Sequence, residues 1–252
     1  MQIVILGCGT STGVPVIGCH CRVCSSDDPR NKRTRSSALI QANGKNILID
    51  TSTDLRQQSL ANEIERIDAV LFTHPHADHI HGIDDLRSFN MIQKAPIPCF
   101  GNEHTISRIR GAFEYIFSND NRDGWKPNLT ATVVDSRFEI SGTVIVPVEI
   151  SHGPSTILGW RIGKAAYVTD CSSIPPASLE KLKGVEVLII GALRFKAHPT
   201  HFNVEQAIEA AMAIKPIRTI FTHLGHNIDF KRDNRALPPG MEFACDGMRI
   251  EI

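Results

Sequence analysis

Short apolar runs punctuated by turn residues set the rhythm of this chain. Gln2 to Gly7, Ser37 to Ala42 and Lys45 to Asp50 have the length and composition of strands, and Asn43-Gly44 predicts a hairpin turn between the last two. Asp54 to Ala61 reads as a short helix, and His104 to Phe117 as a longer one. Val204 to Ile214 is a third helix, capped by Asn203, with apolar positions at Val204, Ala207, Ile208, Ala211 and Met212. From Val133 through Val168 strand signals are dense, with turns at Gly142 and Gly163-Lys164. Two sheet-rich halves, each with its own helices, predict an α/β sandwich whose strand tips meet at one edge. No linker or low-complexity tract divides them, so residues 1–252 are expected to form a single domain.

Composition narrows the function classes. Lys and Arg number 27 and Asp and Glu 27, which gives no electrostatic footprint for nucleic acid. No apolar window reaches the length of a membrane span, and Met1-Gln2-Ile3 opens a strand rather than a charged leader. A cytoplasmic protein with a small-molecule substrate is the expectation.

The densest chemistry lies in Thr73-His74-Pro75-His76-Ala77-Asp78-His79, directly after the apolar Ala69-Val70-Leu71-Phe72. Imidazoles at alternate positions, His74 and His76, can aim at one cation while Asp78 and His79 turn toward a second; neutral imidazole and carboxylate suit Zn, Mn or Fe. A second cluster is Cys19, Cys21 and Cys24, with His226 in Thr222-His223-Leu224-Gly225-His226. Three thiolates and one imidazole make a closed tetrahedral zinc site of structural type, tying the amino-terminal loop to the active-site rim. A redox pair and plain reduced thiols are the alternatives for these cysteines. Cys8, Cys99, Cys171 and Cys245 read as reduced thiols in or beside strands.

His74 to His79 matches H-x-H-x-D-H, and the chain thereby resembles the metallo-β-lactamase superfamily of hydrolases. That resemblance implies further ligands downstream: His152 after the strand-like Val144 to Ile150, completing a set with His74 and His76; Asp170 after Ala165 to Thr169, bridging two cations; and His223 after Ile217 to Thr222, joining Asp78 and His79. Taken singly, each has the look of a cap or a satisfied polar group. Thr10 to Pro15, the cysteine loop, the histidine loop, Thr222 to His226 and Ala236 to Gly240 together resemble the PhnP phosphodiesterases of the carbon-phosphorus lyase pathway, whose fold family also includes tRNase Z.

The resemblance implies a four-layer αββα sandwich, a dinuclear centre of manganese or zinc beside the structural zinc, and hydrolysis of cyclic phosphodiesters such as 5-phosphoribosyl 1,2-cyclic phosphate. It also makes a homodimer an expectation. A water shared by two such cations would lose its proton near neutral pH and attack phosphorus. His201, at the position of the family's active-site histidine, would protonate the leaving alkoxide, and Asp50 would orient a ligand imidazole. One departure is Ser52, where the superfamily usually places glycine after Asp50-Thr51. Arg122 to Pro127 with Phe113, Tyr115 and Phe117 form either a wall over the metals or, for the aromatics, helix packing. Arg194 and Lys196 are candidates for a terminal phosphate, whereas His20, His81, His104 and His198 read as surface residues. The competing functions are tRNase Z-like RNA processing, disfavoured by the neutral charge and the lack of an RNA-gripping arm, and a non-catalytic metal-stabilised binding protein.

Overall fold

The computed structural model describes residues 1–118 and 126–252. The strands among them are β1 (Gln2–Gly7), β2 (Ser37–Ala42), β3 (Lys45–Ile49), β4 (Ala69–Leu71), β5 (Ile97–Gly101), β6 (Leu129–Val133), β7 (Phe138–Ile140), β8 (Thr143–His152), β9 (Ser155–Ile162), β10 (Ala165–Val168), β11 (Val187–Gly191), β12 (Arg218–Thr222), β13 (Met241–Phe243) and β14 (Arg249–Glu251). They form two mixed sheets, ordered β14-β1-β2-β3-β4-β5-β6 and β13-β12-β11-β10-β9-β8-β7. Helices α1 (Leu55–Ala61), α2 (Ala77–Ile80), α3 (Leu86–Gln93), α4 (Glu103–Ala112), α5 (Glu114–Phe117), α6 (Pro176–Leu182), α7 (Val204–Ile214) and α8 (Phe230–Asp233) complete the chain. Two sheets face to face with helices outside are the αββα sandwich that the sequence predicts.

Strand alternation decides which face each apolar residue serves. In the first sheet Ile3, Ile5, Ala38, Ile40, Ile47, Ile49 and Leu71 point inward, into one core shared with Ile145, Val148, Trp160, Ile189 and Phe221 of the second. Their neighbours Val4, Leu6, Leu39, Leu48, Val70 and Phe72 point outward and pack with Leu55, Leu86, Phe89 and Ile109 of the covering helices. On the far side Leu182 of α6 and Val204, Ala207, Ala211 and Ile214 of α7 join the second sheet's core.

The helix expected over residues 104–117 is broken. α4 ends at Ala112, Phe113 takes a non-helical conformation (φ −123°, ψ 46°), and α5 restarts at Glu114. The break lets Phe113 and Phe117 reach the helix-side core, so packing accounts for both. Tyr115 faces outward and donates its hydroxyl to Asp84 at 2.7 Å. Residues 122–125 of the suggested lid lie outside the described residues. The α7 cap is as expected: Asn203 accepts from the Gln206 amide while the Gln206 side chain accepts from the Asn203 amide.

Candidate metal centre

Strand register gathers the site. In the parallel trio β10-β11-β12, Val168 pairs with Ile190 and Ile190 with Phe221, so Asp170 and His223, each two residues on, emerge side by side with small Ala192 between them. In the other sheet Ile49 pairs with Leu71, which sets Asp50 beside Phe72 and the histidine loop just beyond. Asp50, Asp170 and His223 all leave their strands with positive φ (60°, 55° and 57°). A non-glycine residue in that region costs about 1–3 kcal/mol and is usually found where a side chain must be aimed.

The aim converges. His74, His76 and His152 offer nitrogens within 4.8 Å of one another, as do the donor atoms of Asp78, His79 and His223, and those of His74, His79 and Asp170. Asp170 stands between the sets: its Oδ1 is 3.2 Å from His223 Nε2 and its Oδ2 3.4 Å from His79 Nε2. All of these residues are buried except His76.

Hydrogen bonds fix which nitrogen His74, His79 and His152 present. Asp50 is fully buried and accepts from the Thr73 amide, the Thr73 hydroxyl and His79 Nδ1, each at 2.7 Å. Because the Thr73 proton goes to the carboxylate, the 3.0 Å contact between Thr73 Oγ1 and His74 Nδ1 requires His74 Nδ1–H to donate. One carboxylate thereby turns the Nε2 lone pairs of both His74 and His79 toward the cluster. His152 Nδ1 donates to the carbonyls of Asp170 (2.7 Å) and Thr200 (2.9 Å), presenting its Nε2 as well. Gly153 permits this: it has φ +56°, and a Cβ there would lie 2.7 Å from Thr200 Cγ2.

The electrostatics favour cation donors. Burial pushes His74 and His76 below the ordinary histidine value, keeping them neutral. Burial opposes ionisation of Asp78 and Asp170, yet the surrounding imidazoles, His79 and His223 foremost, hold both below the usual carboxylate range; against burial, Asp170, Asp78 and Asp50 in turn raise His79 above the ordinary histidine value, so a cation bound there would displace a proton from its ring. His223 Nδ1 is buried with no hydrogen-bond partner, and the Nε2 atoms of His79 and His223 make no well-formed hydrogen bond although carboxylate oxygens of Asp78 and Asp170 lie 3.2–3.7 Å away. Buried polar atoms are rarely left so. Lone pairs and ionised carboxylates converging on the same space fit divalent cations, which satisfy them.

The remaining candidates are placed as follows. His201 lies beside the cluster, its ring stacked on His223 (centroids 5.0 Å, 13°) and its Nδ1 3.6 Å from Asp170 Oδ1. Burial and then His223 push its pKa down to about 3. Ser52 is accommodated: its hydroxyl accepts from the Asp54 amide at 3.0 Å, and Asp50 keeps all its partners. Arg194 donates to the carbonyls of Lys196 and Ala197, so its guanidinium shapes its own loop rather than facing a phosphate. His20, His81 and His104 are exposed, whereas His198 is half-buried with its ring 5.0 Å from that of His201. Sequence reasoning missed Thr73 and Thr169; the latter donates to Asp170 Oδ2 at 2.6 Å. Both directly precede a candidate ligand, a signal available in the sequence. In the second cluster Cys19, Cys21 and Cys24 place their sulfurs 3.3, 3.6 and 3.5 Å from His226 Nδ1.

The chain matches the model of the beta-lactamase superfamily domain over residues 45–224. It belongs to the metallo-β-lactamase superfamily. The chain is 42% identical to a structure described as a new diphosphatase from the PhnP family, with a TM-score of 0.93, covering 100% of this chain and 97% of that one. An octanoyltransferase of Porphyromonas gingivalis is 40% identical over 257 residues, and the chain spans about half (52%) of its length. Coenzyme PQQ synthesis protein B of Methylorubrum extorquens is 36% identical over 75% of the chain and 72% of its own length. Zn(2+)-bound PqqB from Methylobacterium extorquens shares the fold (TM-score 0.81) at 20% identity. Among the described residues no helix is long and apolar enough to cross a membrane.

Proposed function

We propose that this chain is a metal-dependent phosphodiesterase acting on a small phosphate ester, with a cyclic phosphodiester such as 5-phosphoribosyl 1,2-cyclic phosphate as the representative substrate. The observation that carries the reading is the convergence of His74, His76, Asp78, His79, His152, Asp170 and His223 beside a further imidazole, His201, that approaches the same Asp170. The near full-length similarity to a PhnP-family diphosphatase supports a phosphoryl substrate. The balance of 27 basic and 27 acidic residues favours a small substrate over RNA.

In this reading His74, His76, His152 and Asp170 hold one divalent cation and Asp78, His79, His223 and Asp170 a second, manganese or zinc, while Cys19, Cys21, Cys24 and His226 hold a structural zinc. Divalent cations in the first two positions supply Lewis acidity toward a phosphoryl oxygen and lower the pKa of water. The chain's own residues do the rest. Asp50 and Thr73 lock the imidazole tautomers, and the buried strand tips hold the donors without reorganisation. His201, stacked on His223 and close to Asp170, would hydrogen-bond the ester. With a proton taken from water onto its ring as the anionic substrate binds, it would protonate the leaving alkoxide.

The test uses protein stripped of metal and reloaded with Mn²⁺ or Zn²⁺, assayed on a cyclic phosphodiester, an aryl phosphodiester and a diphosphate ester. Metal-restored cleavage of the phosphodiesters is the expected result. Cleavage of the diphosphate alone, or equal turnover without metal, would refute the reading.

A further inference from the structure

Arg33 is only 2% exposed, yet its side-chain hydrogen bonds go to neutral oxygens: Nη1 donates to Gly225 O (3.1 Å), and Nη2 to Asn31 Oδ1 (3.0 Å) and Ile228 O (2.9 Å). Its Nε has no partner. A cation taken out of water without a charged partner in contact is unfavourable, and burial lowers the affinity of this guanidinium for its proton; Cys8 and the carboxylates of Asp246, Asp229 and Asp233 offset this only at longer range. What holds the guanidinium in place is therefore the set of three oxygens it binds.

The two carbonyls Arg33 takes belong to Gly225 and Ile228, which bracket His226. Asn31 Oδ1 also accepts the Phe230 amide at 2.9 Å, so the same group anchors the far side of that turn. The near side is seated by Leu224 N to Cys8 O and Gly225 N to Leu193 O, each 2.8 Å. On the cysteine side, the Arg33 backbone exchanges hydrogen bonds with Val14 (2.9 and 2.7 Å), and Lys32 Nζ donates to Cys24 O at 3.2 Å. Val14 packs with Val23 and Cys24, against which Val16, Cys19 and Cys21 lie. One residue thus grips the cysteine loop with its backbone and the histidine turn with its side chain.

We propose that Arg33 is the positioning residue of the Cys19-Cys21-Cys24-His226 site: its guanidinium fixes the turn that presents His226 and its backbone ties that turn to the cysteine loop. This rests on reading that cluster as a metal site, where three thiolates, one neutral imidazole and a dication sum to a net charge of −1. A planar fork with several donors bridges the separate oxygens in a way an ammonium does not. Since the same turn begins two residues after His223, Arg33 also steadies the rim of the catalytic cluster.

The experiment measures Zn²⁺ affinity of the cysteine site by chelator competition, and the thiolate charge-transfer absorption of the Co²⁺-loaded full chain, for wild type, Arg33→Met and Arg33→Lys. Urea unfolding of each metal-free protein runs in parallel. Wild type should show the charge-transfer band; its absence would remove the metal reading of the cluster and this proposal with it. Given the band, Arg33→Met should bind Zn²⁺ about tenfold or more weakly, in the range usual for residues that support metal ligands. Arg33→Lys, which keeps the charge and loses the fork, should fall between. Arg33→Met with wild-type Zn²⁺ affinity, whatever its loss in unfolding stability, would overturn the assignment and leave Arg33 a packing residue. Should Arg33→Met fail to fold, Arg33→Lys carries the test: a loss of threefold or more supports the proposal, and wild-type affinity overturns it.

Discussion

Replacing Thr73 with valine keeps the shape of the side chain and removes one hydroxyl from the floor of the metal centre. That hydroxyl donates to Asp50 Oδ2 at 2.7 Å and stands 3.0 Å from His74 Nδ1, with Asp50, Thr73 and His74 all at most 1% exposed. A hydrogen bond to a charged acceptor contributes about 1.5–3 kcal/mol, and leaving a buried donor unpaired costs about 1–3 kcal/mol. The two losses share one group and are not additive, so we expect about 3 kcal/mol. For a chain of this size each kcal/mol moves the melting temperature by about 2–4 °C, giving a fall of about 6–12 °C in metal-free protein. The freed His74 ring no longer has its tautomer imposed, so affinity for the neighbouring cation should drop by about tenfold or more. Thermal unfolding of the metal-free form and chelator competition on the loaded form measure the two effects separately. Thr73→Ser, which restores the hydroxyl, should recover most of both. A Thr73→Val protein that melts with wild type and retains metal equally well would refute the relay from Asp50 through Thr73 to His74.

Three further outcomes follow from the geometry. His201→Ala should slow hydrolysis of esters with poor leaving groups by about 100-fold or more, while an activated nitrophenyl diester suffers less; equal losses on both would assign the residue to phosphate binding, and no loss to the surface. Elemental analysis of fully loaded protein should give three metals per chain, two at the His/Asp cluster and one at the cysteines; a single metal per chain contradicts that assignment. The Tyr115 phenol is pushed up to about 12, by burial and then by its hydrogen bond to Asp84, and burial also raises Tyr167. Because the folded values lie above the unfolded one, this contribution to stability is present below about pH 10 and lost as pH rises toward the folded value. An ultraviolet difference titration that shows a tyrosine ionising near pH 10 in the native protein counts against the placement of that residue, and two such ionisations count against both.

The chemistry was most readable where its groups are contiguous. Four donors in the six positions from His74 to His79 need only a tight turn after a buried strand to face one space, and strand alternation in β1 to β4 sorts inward from outward residues without reference to the rest of the fold. The spacing of Cys19, Cys21 and Cys24 is likewise a property of one loop. His152, Asp170 and His223 announced themselves only as polar residues after apolar runs; parallel register across β10, β11 and β12 is what sets the last two side by side. What the linear order hides is who touches whom across the strand tips. The hydroxyl of Thr73 reaches a carboxylate 23 positions away, and the guanidinium of Arg33 reaches carbonyls 192 and 195 positions away. The break at Phe113 is invisible to helical periodicity because it accompanies packing of the ring against a core built by other elements. His201 carries the same lesson: its proton affinity depends on desolvation and on His223 and Asp170, brought by other strands, so the residue type was legible in the sequence and its working state was decided by tertiary packing.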